Sequence, residues 1–259
     1  MADWKELIYR SYVSSGHVED RGKAVQDHLR SRCAYFEAII RDHFPSDRTS
    51  RVLDIGCGHG ALLYFLQEAG YENARGFDGS KEQVELSHRL GIKGVELADA
   101  ESFLACCEPG SLDVICLIDL LEHFTRDEVF ELLLQVRRVR SANGICIGHV
   151  PNAEAIFGSR IRYGDLTHEQ AFTSSSIRQL FGSLHFAEVR CFEDKPAIHG
   201  LKSIVRRVLW EVGTMPFRLL FLAETGTAGA ILSQNLLFVA HHDASRDGES
   251  QEPGACKSS

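Results

Sequence analysis

Along the chain, short apolar runs alternate with stretches whose apolar positions recur every three or four residues, which predicts strands and helices in turn. Over residues 17–44, Val25, Leu29, Tyr35, Phe36, Ile39 and Ile40 line one helical face, and Pro45-Ser46-Asp47 ends it. Residues 51–55 read as a buried strand, 61–69 as a helix stopped by Gly70, 74–78 as a second strand, and 81–90 as a helix stopped by Gly91. A third strand falls at 94–98. Residues 112–118 are the most apolar run and so a central strand; 127–139 read as a helix and 144–148 as a fifth strand. This β-α-β-α order with short connections predicts an α/β fold, a doubly wound parallel sheet with helices on both faces.

After His149-Val150-Pro151-Asn152 the pattern breaks into a polar loop that runs to Glu169. A short helix is expected at 174–181, capped by Thr173, and two last strands at 186–192 and 233–239. Between those strands, Leu201, Ile204, Val205, Val208, Leu209 and Val212 mark an amphipathic helix with Lys202, Arg206 and Arg207 alongside. From Asp243 onward the sequence is polar and aperiodic, and disorder is expected.

Composition narrows the function classes. The 259 residues carry 28 Lys+Arg against 36 Asp+Glu, a formal charge of -8, which argues against broad nucleic-acid binding. There is no apolar run of membrane-spanning length, and the acids near Met1 do not suit a secretory signal, so a cytoplasmic location is expected. The eight cysteines are scattered without a Cys-x-x-Cys pair, and several sit in apolar runs as small buried hydrophobes. No metal-ligand cluster stands out beyond loop acids and histidines, so no metal is assigned.

One segment carries chemistry. In Val52-Leu53-Asp54-Ile55-Gly56-Cys57-Gly58-His59-Gly60 a buried strand runs into three alternate glycines and then a helix. Such a turn lets a ligand approach the main chain, and the helix start favours a negative group. The spacing is Gly-x-Gly-x-Gly, not the Gly-x-Gly-x-x-Gly of dinucleotide sites. Asp78 closes the second strand, where an acid can accept both hydroxyls of a ribose, and Asp99-Ala100 follows the third, where a carboxylate can receive an adenine amino group.

Together with Gly-Phe-Asp-Gly-Ser, Ala-Asp-Ala and Leu-Asp-Val-Ile-Cys-Leu-Ile-Asp-Leu-Leu-Glu-His-Phe, this segment resembles the successive motifs of class I S-adenosylmethionine-dependent methyltransferases over residues 50–152. The resemblance implies a Rossmann-like, seven-stranded sheet with its last strand antiparallel. It implies S-adenosyl-L-methionine as cofactor, held by Asp54, Gly56, Cys57, Gly58 and Gly60, with Asp78 and Gly79 at the ribose, Asp99 and Ala100 at the adenine, and Asp119 and Leu120 at the methionine half. The chain then divides into a helical cap (1–45, with Tyr9, Tyr12 and the helix from His17 over the cofactor), a cofactor-binding core (46–150), an acceptor side with a helical insertion (151–242) and a tail (243–259).

A hydroxyl acceptor needs alignment and loss of a proton. His123, His149, Asp165 and His168 follow the fourth and fifth strands, and His149, His168 and Asp165 are the catalytic candidates, although His123 can equally orient its turn and His149 bond a backbone group. The segments 149–154, 165–173 and 201–235 are also similar to methyltransferases of bacterial surface-polysaccharide and glycolipid assembly, which implies O-methylation of a sugar hydroxyl. The alternatives are O-methylation of a small lipophilic or aromatic, quinone-type metabolite, and a non-catalytic cofactor-binding scaffold. The segment 201–222 reads as a lid, a homodimer contact or a helix lying on a membrane surface.

Overall fold

The computed structural model describes residues 4–10, 29, 32–198 and 200–242; Tyr12, His17 and the tail lie outside these, as does the side chain of Tyr9. Seven strands form one sheet: β1 (Val52–Ile55), β2 (Ala74–Asp78), β3 (Val95–Leu97), β4 (Leu112–Ile118), β5 (Arg140–Pro151), β6 (Phe186–Glu193) and β7 (Asn235–His242), in the order β3-β2-β1-β4-β5-β7-β6. The first five pair in parallel, and β7 runs antiparallel between β5 and β6. The expected Rossmann-like sheet with an antiparallel last strand is therefore present.

The helices described are α1 (Trp4–Arg10), α2 (Cys33–His43), α3 (Ala61–Glu68), α4 (Lys81–Leu90), α5 (Ala100–Ala105), α6 (Arg126–Val139), α7 (Gly158–Arg162), α8 (Ser174–Ser183) and α9 (Leu201–Thr225). Strand side chains alternate between faces, and the core splits accordingly. Leu53, Ile115, Leu117, Val150 and Phe238 meet α5, α6 and α8 through Leu104, Val129, Leu133, Ile177 and Phe181. On the other face Val52, Val114, Cys116, Ile147 and Val239 meet α2, α3 and α4 through Phe36, Ile40, Leu63, Leu66 and Val84. With both faces covered, the central strands are apolar at most positions, which is why 112–118 stood out.

Several elements depart from expectation, among them α7, which lies inside the stretch expected to be a loop. The short helix α5 had not been foreseen. Strand β5 begins at Arg140, directly after α6, with a register shift against β4 between Leu112 and Val114. Helix α9 does not stop at Val212 but continues through Pro216 for 25 residues. It is also inverted in character. Ser203 and Thr214 are its buried residues, and its charged side chains tie it inward: Arg218 pairs with Glu193 at 2.7 Å and Lys195 with Glu211 at 2.9 Å. Leu201, Val205, Val208, Leu209, Val212, Met215, Leu219 and Leu220 are exposed. Among the described residues, no helix is long and apolar enough to cross a membrane.

Candidate active site

At the C-terminal ends of β1, β2 and β4 a cleft of about 1090 Å³ opens, the position where parallel sheets bind ligands. Gly56 leaves β1 with φ +66°, and a Cβ there would stand 2.6 Å from Leu120 Cδ1, so a side chain is excluded by both conformation and space. The Gly58 and Ser80 amides each donate to Asp78, to opposite carboxylate oxygens and both at 2.8 Å, which fixes the carboxylate at the cleft wall. Burial raises the Asp78 pKa, and these two amides oppose the shift. Asp54 lies wholly within the strand end. Its Oδ1 and the Oε1 of Gln83, both lining the cleft, are buried without a hydrogen-bond partner among the described residues.

Of the residues expected at the cofactor, Asp54, Gly56, Cys57, Gly58, Asp78, Gly79, Asp99, Ala100, Asp119 and Leu120 all line this cleft. Gly60 does not. It begins α3 with φ +82°, and a Cβ would meet Val95 Cγ2 at 2.8 Å, so its glycine serves the packing of helix on sheet. Asp99 caps α5, accepting from the Ser102 amide at 2.9 Å, so one of its oxygens is already engaged. The Cys57 thiol is pushed well up by burial and stays protonated.

S-adenosylmethionine fits these groups. Asp78 suits its ribose diol, the orphaned Asp54 and Gln83 oxygens suit donors such as its ammonium, and the start of α3 suits its carboxylate. When bound, the cofactor supplies an electrophilic methyl group on a sulfonium sulfur.

Past β4, Asp119 adopts φ +51°, uncommon for a residue other than glycine, and its amide donates to the His149 carbonyl at 2.9 Å. Its carboxylate meets His149 Nδ1 at 2.5 Å, and Asp194 approaches Nε2 at 3.4 Å. Burial pulls the His149 pKa down, but the two carboxylates outweigh it and raise it to about 10. Asp119 is pushed up by burial and brought below its usual value by the His149 charge and hydrogen bond. His149 thus meets a carboxylate at each ring nitrogen, which favours its charged form. Tyr35, unforeseen as a site residue, stands over it with ring centroids 5.7 Å apart and a buried hydroxyl.

The loop between β5 and α8 folds back onto the turn after β4, because the Glu169 and Gln170 amides donate to the Glu122 carbonyl and Arg162 donates to the His168 carbonyl. This brings His168 against His123, with ring centroids 4.7 Å apart. Asp165 does not reach into the cleft; it accepts from the amide and hydroxyl of Thr167 at 2.8 and 2.7 Å. Since the Thr167 hydroxyl donates to Asp165, it accepts from His123 Nδ1, 2.8 Å away. Burial, reinforced by His168, lowers the His123 pKa to about 4, so the ring is neutral near pH 7. Burial also pushes Glu122 well up. From α1, Lys5 pairs with Glu169 at 2.9 Å and donates to the His123 carbonyl at 3.0 Å. Nothing in the sequence pattern linked Lys5, Tyr35 or Asp194 to this site, since each arrives through tertiary packing, whereas Glu122 stands in the motif after β4 without having been singled out.

The sheet order and the cleft built by Gly56, Gly58, Asp78 and Asp119 define a class I S-adenosylmethionine-dependent methyltransferase. Residues 25–189 match the model of the methyltransferase domain family, and the chain belongs to that family. It is similar to a ubiquinone biosynthesis O-methyltransferase from Ralstonia nicotianae, 35% identical over 77 residues, 28% of this chain and 32% of the relative. A protein of the same name from Neisseria meningitidis serogroup C is 34% identical over 82 residues, 29% of this chain and 34% of the relative. The matches thus span about a third of these curated relatives. In fold, the chain resembles a SAM-dependent methyltransferase from Archaeoglobus fulgidus (TM-score 0.62, 22% identity, 83% of this chain and 97% of that one). A second, from Mesorhizobium loti, gives a TM-score of 0.56 at 18% identity over 83% of this chain and 100% of that one.

Proposed function

We propose that the chain O-methylates a lipophilic, phenol- or catechol-type hydroxyl compound. The observation that carries this reading is the orientation of the acceptor-side loop. Its polar residues turn inward: Asp165 and Thr167 bond each other, Asn152 donates to the carbonyls of Ile231 and Ser233, and His168 Nδ1 meets the Ile161 carbonyl. Its large apolar residues turn out, with Phe157, Tyr163 and Leu166 exposed by 61%, 75% and 80%. A sugar acceptor, implied above by the resemblance of these segments, would call for such polar groups turned toward the cleft. The names of the O-methyltransferase relatives lend further support to a lipophilic acceptor.

Helix α9 extends the argument. The segment Glu193-Asp194-Lys195 touches His149 through Asp194 and anchors α9 through its two neighbours, so the charged side of the helix is held against the sheet edge next to His149 and its apolar face is turned outward. We propose that α9 lies on an anionic lipid surface, with Lys202 and Arg206 along one margin, and that the acceptor enters from there. At the acceptor end His123, neutral near pH 7, lines the cleft.

The test is transfer of a labelled methyl group from S-adenosylmethionine to a panel of alkylated catechols and phenols, with nucleotide sugars and glycans as comparators. The reading expects methylated catechols or phenols, with KM falling as the alkyl chain lengthens. Transfer to sugars alone would overturn it.

A further inference from the structure

We propose that Glu122, His123 and His168 form a binding site for one divalent cation of the zinc–manganese class at the acceptor end of the cleft. The three side chains each offer one ligand atom, and these atoms lie within 4.8 Å of one another. Around a tetrahedral ion with bonds of about 2.0–2.1 Å, neighbouring ligand atoms stand roughly 3.4 Å apart, so side-chain rotations of about an ångström close the set.

Two independent features point to a ligand here. The first is Glu122, whose side chain is buried and whose Oε2 has no hydrogen-bond partner among the described residues. A buried carboxylate oxygen left in that state is costly, and a cation satisfies it. The second is the way both rings are held. His123 Nδ1 donates to Thr167, which donates onward to Asp165, and His168 Nδ1 lies 3.0 Å from the Ile161 carbonyl, where only a ring N–H is favourable. Each imidazole is thereby set in the tautomer whose lone pair is on Nε2, the outer arrangement that orients histidine ligands of metals. Asp165 and Thr167 then act as positioning residues for His123.

The donor set selects the ion. Two imidazoles and one carboxylate suit Zn²⁺ or Mn²⁺, whereas Mg²⁺ and Ca²⁺ prefer oxygen. Three protein ligands leave a coordination position open, and His123 is the member of the set that lines the cleft. A hydroxyl bound there has its pKa lowered and gives its proton to water more readily. The role in catalysis rests on the O-methyltransferase reading, but the site itself does not.

The experiment is calorimetric titration of Zn²⁺, and separately of Mn²⁺, into chelator-treated full-length protein, with S-adenosylhomocysteine binding measured on the same preparation. The proposal expects one ion per chain with Kd of about 1 μM or tighter for Zn²⁺ and no displacement by millimolar Mg²⁺. His168→Ala and Glu122→Gln should each weaken binding at least about tenfold, and Thr167→Val by a similar factor, while S-adenosylhomocysteine binding persists. Because His168 lies on a surface loop, its variant keeps the test valid if Glu122→Gln misfolds. Absence of a one-to-one event, or binding unchanged in His168→Ala, overturns the site. Zinc binding without transfer to any hydroxyl would instead overturn the methylation reading.

Discussion

Asp54 sits where a strand end, two further acids and a cationic ligand would meet. Burial, with the charges of Asp78 and Asp119 behind it, pushes its pKa up to about 8. At pH 7 the carboxyl is therefore mostly protonated, and an ammonium brought beside it favours ionisation. Cofactor binding should release a proton, and affinity should rise with pH up to about 8. Titrations at pH 7 in buffers of different ionisation enthalpy measure that release, which Asp54→Asn should abolish. His149 makes a second prediction. Its pKa rises from 6.5 to about 10 on folding, so its contribution to stability is complete below 6.5 and is lost as pH climbs through about 10. Denaturation midpoints should fall across that window in the parent and change less in His149→Gln. The cofactor side of the site was legible because Gly56, Gly58 and Asp78 lie at strand ends that the sequence pattern locates. The surroundings of the acceptor side were less so: Asp194, 45 residues from His149, stands at its second nitrogen, and no local pattern announces such a contact.

Helix α6 begins with a capping box, in which Thr125 accepts from the Glu128 amide and Glu128 accepts from the Thr125 amide. Thr125→Ala should cost about 1 kcal/mol of stability, read from urea denaturation, with cofactor affinity unchanged. Elements with a strong period or a continuous apolar run were readable: β2, α4 and β4 fall on residues 74–78, 81–90 and 112–118 as expected. The misses have physical causes. Helix α5 has six residues, too short for a period, and its cap Asp99 reads equally well as a ligand. The start of β5 is polar and takes strand form through pairing with β4. Helix α9 runs past Gly213 and Pro216, with ion pairs from Glu211 and Arg218 on either side of them to Lys195 and Glu193.

At the scale of the whole molecule, the fold carries a cofactor cleft and an outward apolar helix face, and the proposed lipid contact can be tested alone. The parent should co-sediment with phosphatidylglycerol vesicles, and a Val208→Glu/Leu219→Glu variant should not, with its melting temperature preserved. Sedimentation as a dimer, without vesicle binding, would assign the same face to a second copy of the chain. The central claim is nevertheless the cleft itself, and calorimetric titration with S-adenosylmethionine of the parent and of Asp78→Ala tests it most directly. The account predicts micromolar binding to the parent and a loss of at least about 1.4 kcal/mol, tenfold in Kd, in the variant, because Asp78 is the carboxylate that the Gly58 and Ser80 amides hold at the cleft wall. A folded parent that binds no S-adenosylmethionine, or a variant that binds it equally well, would contradict it.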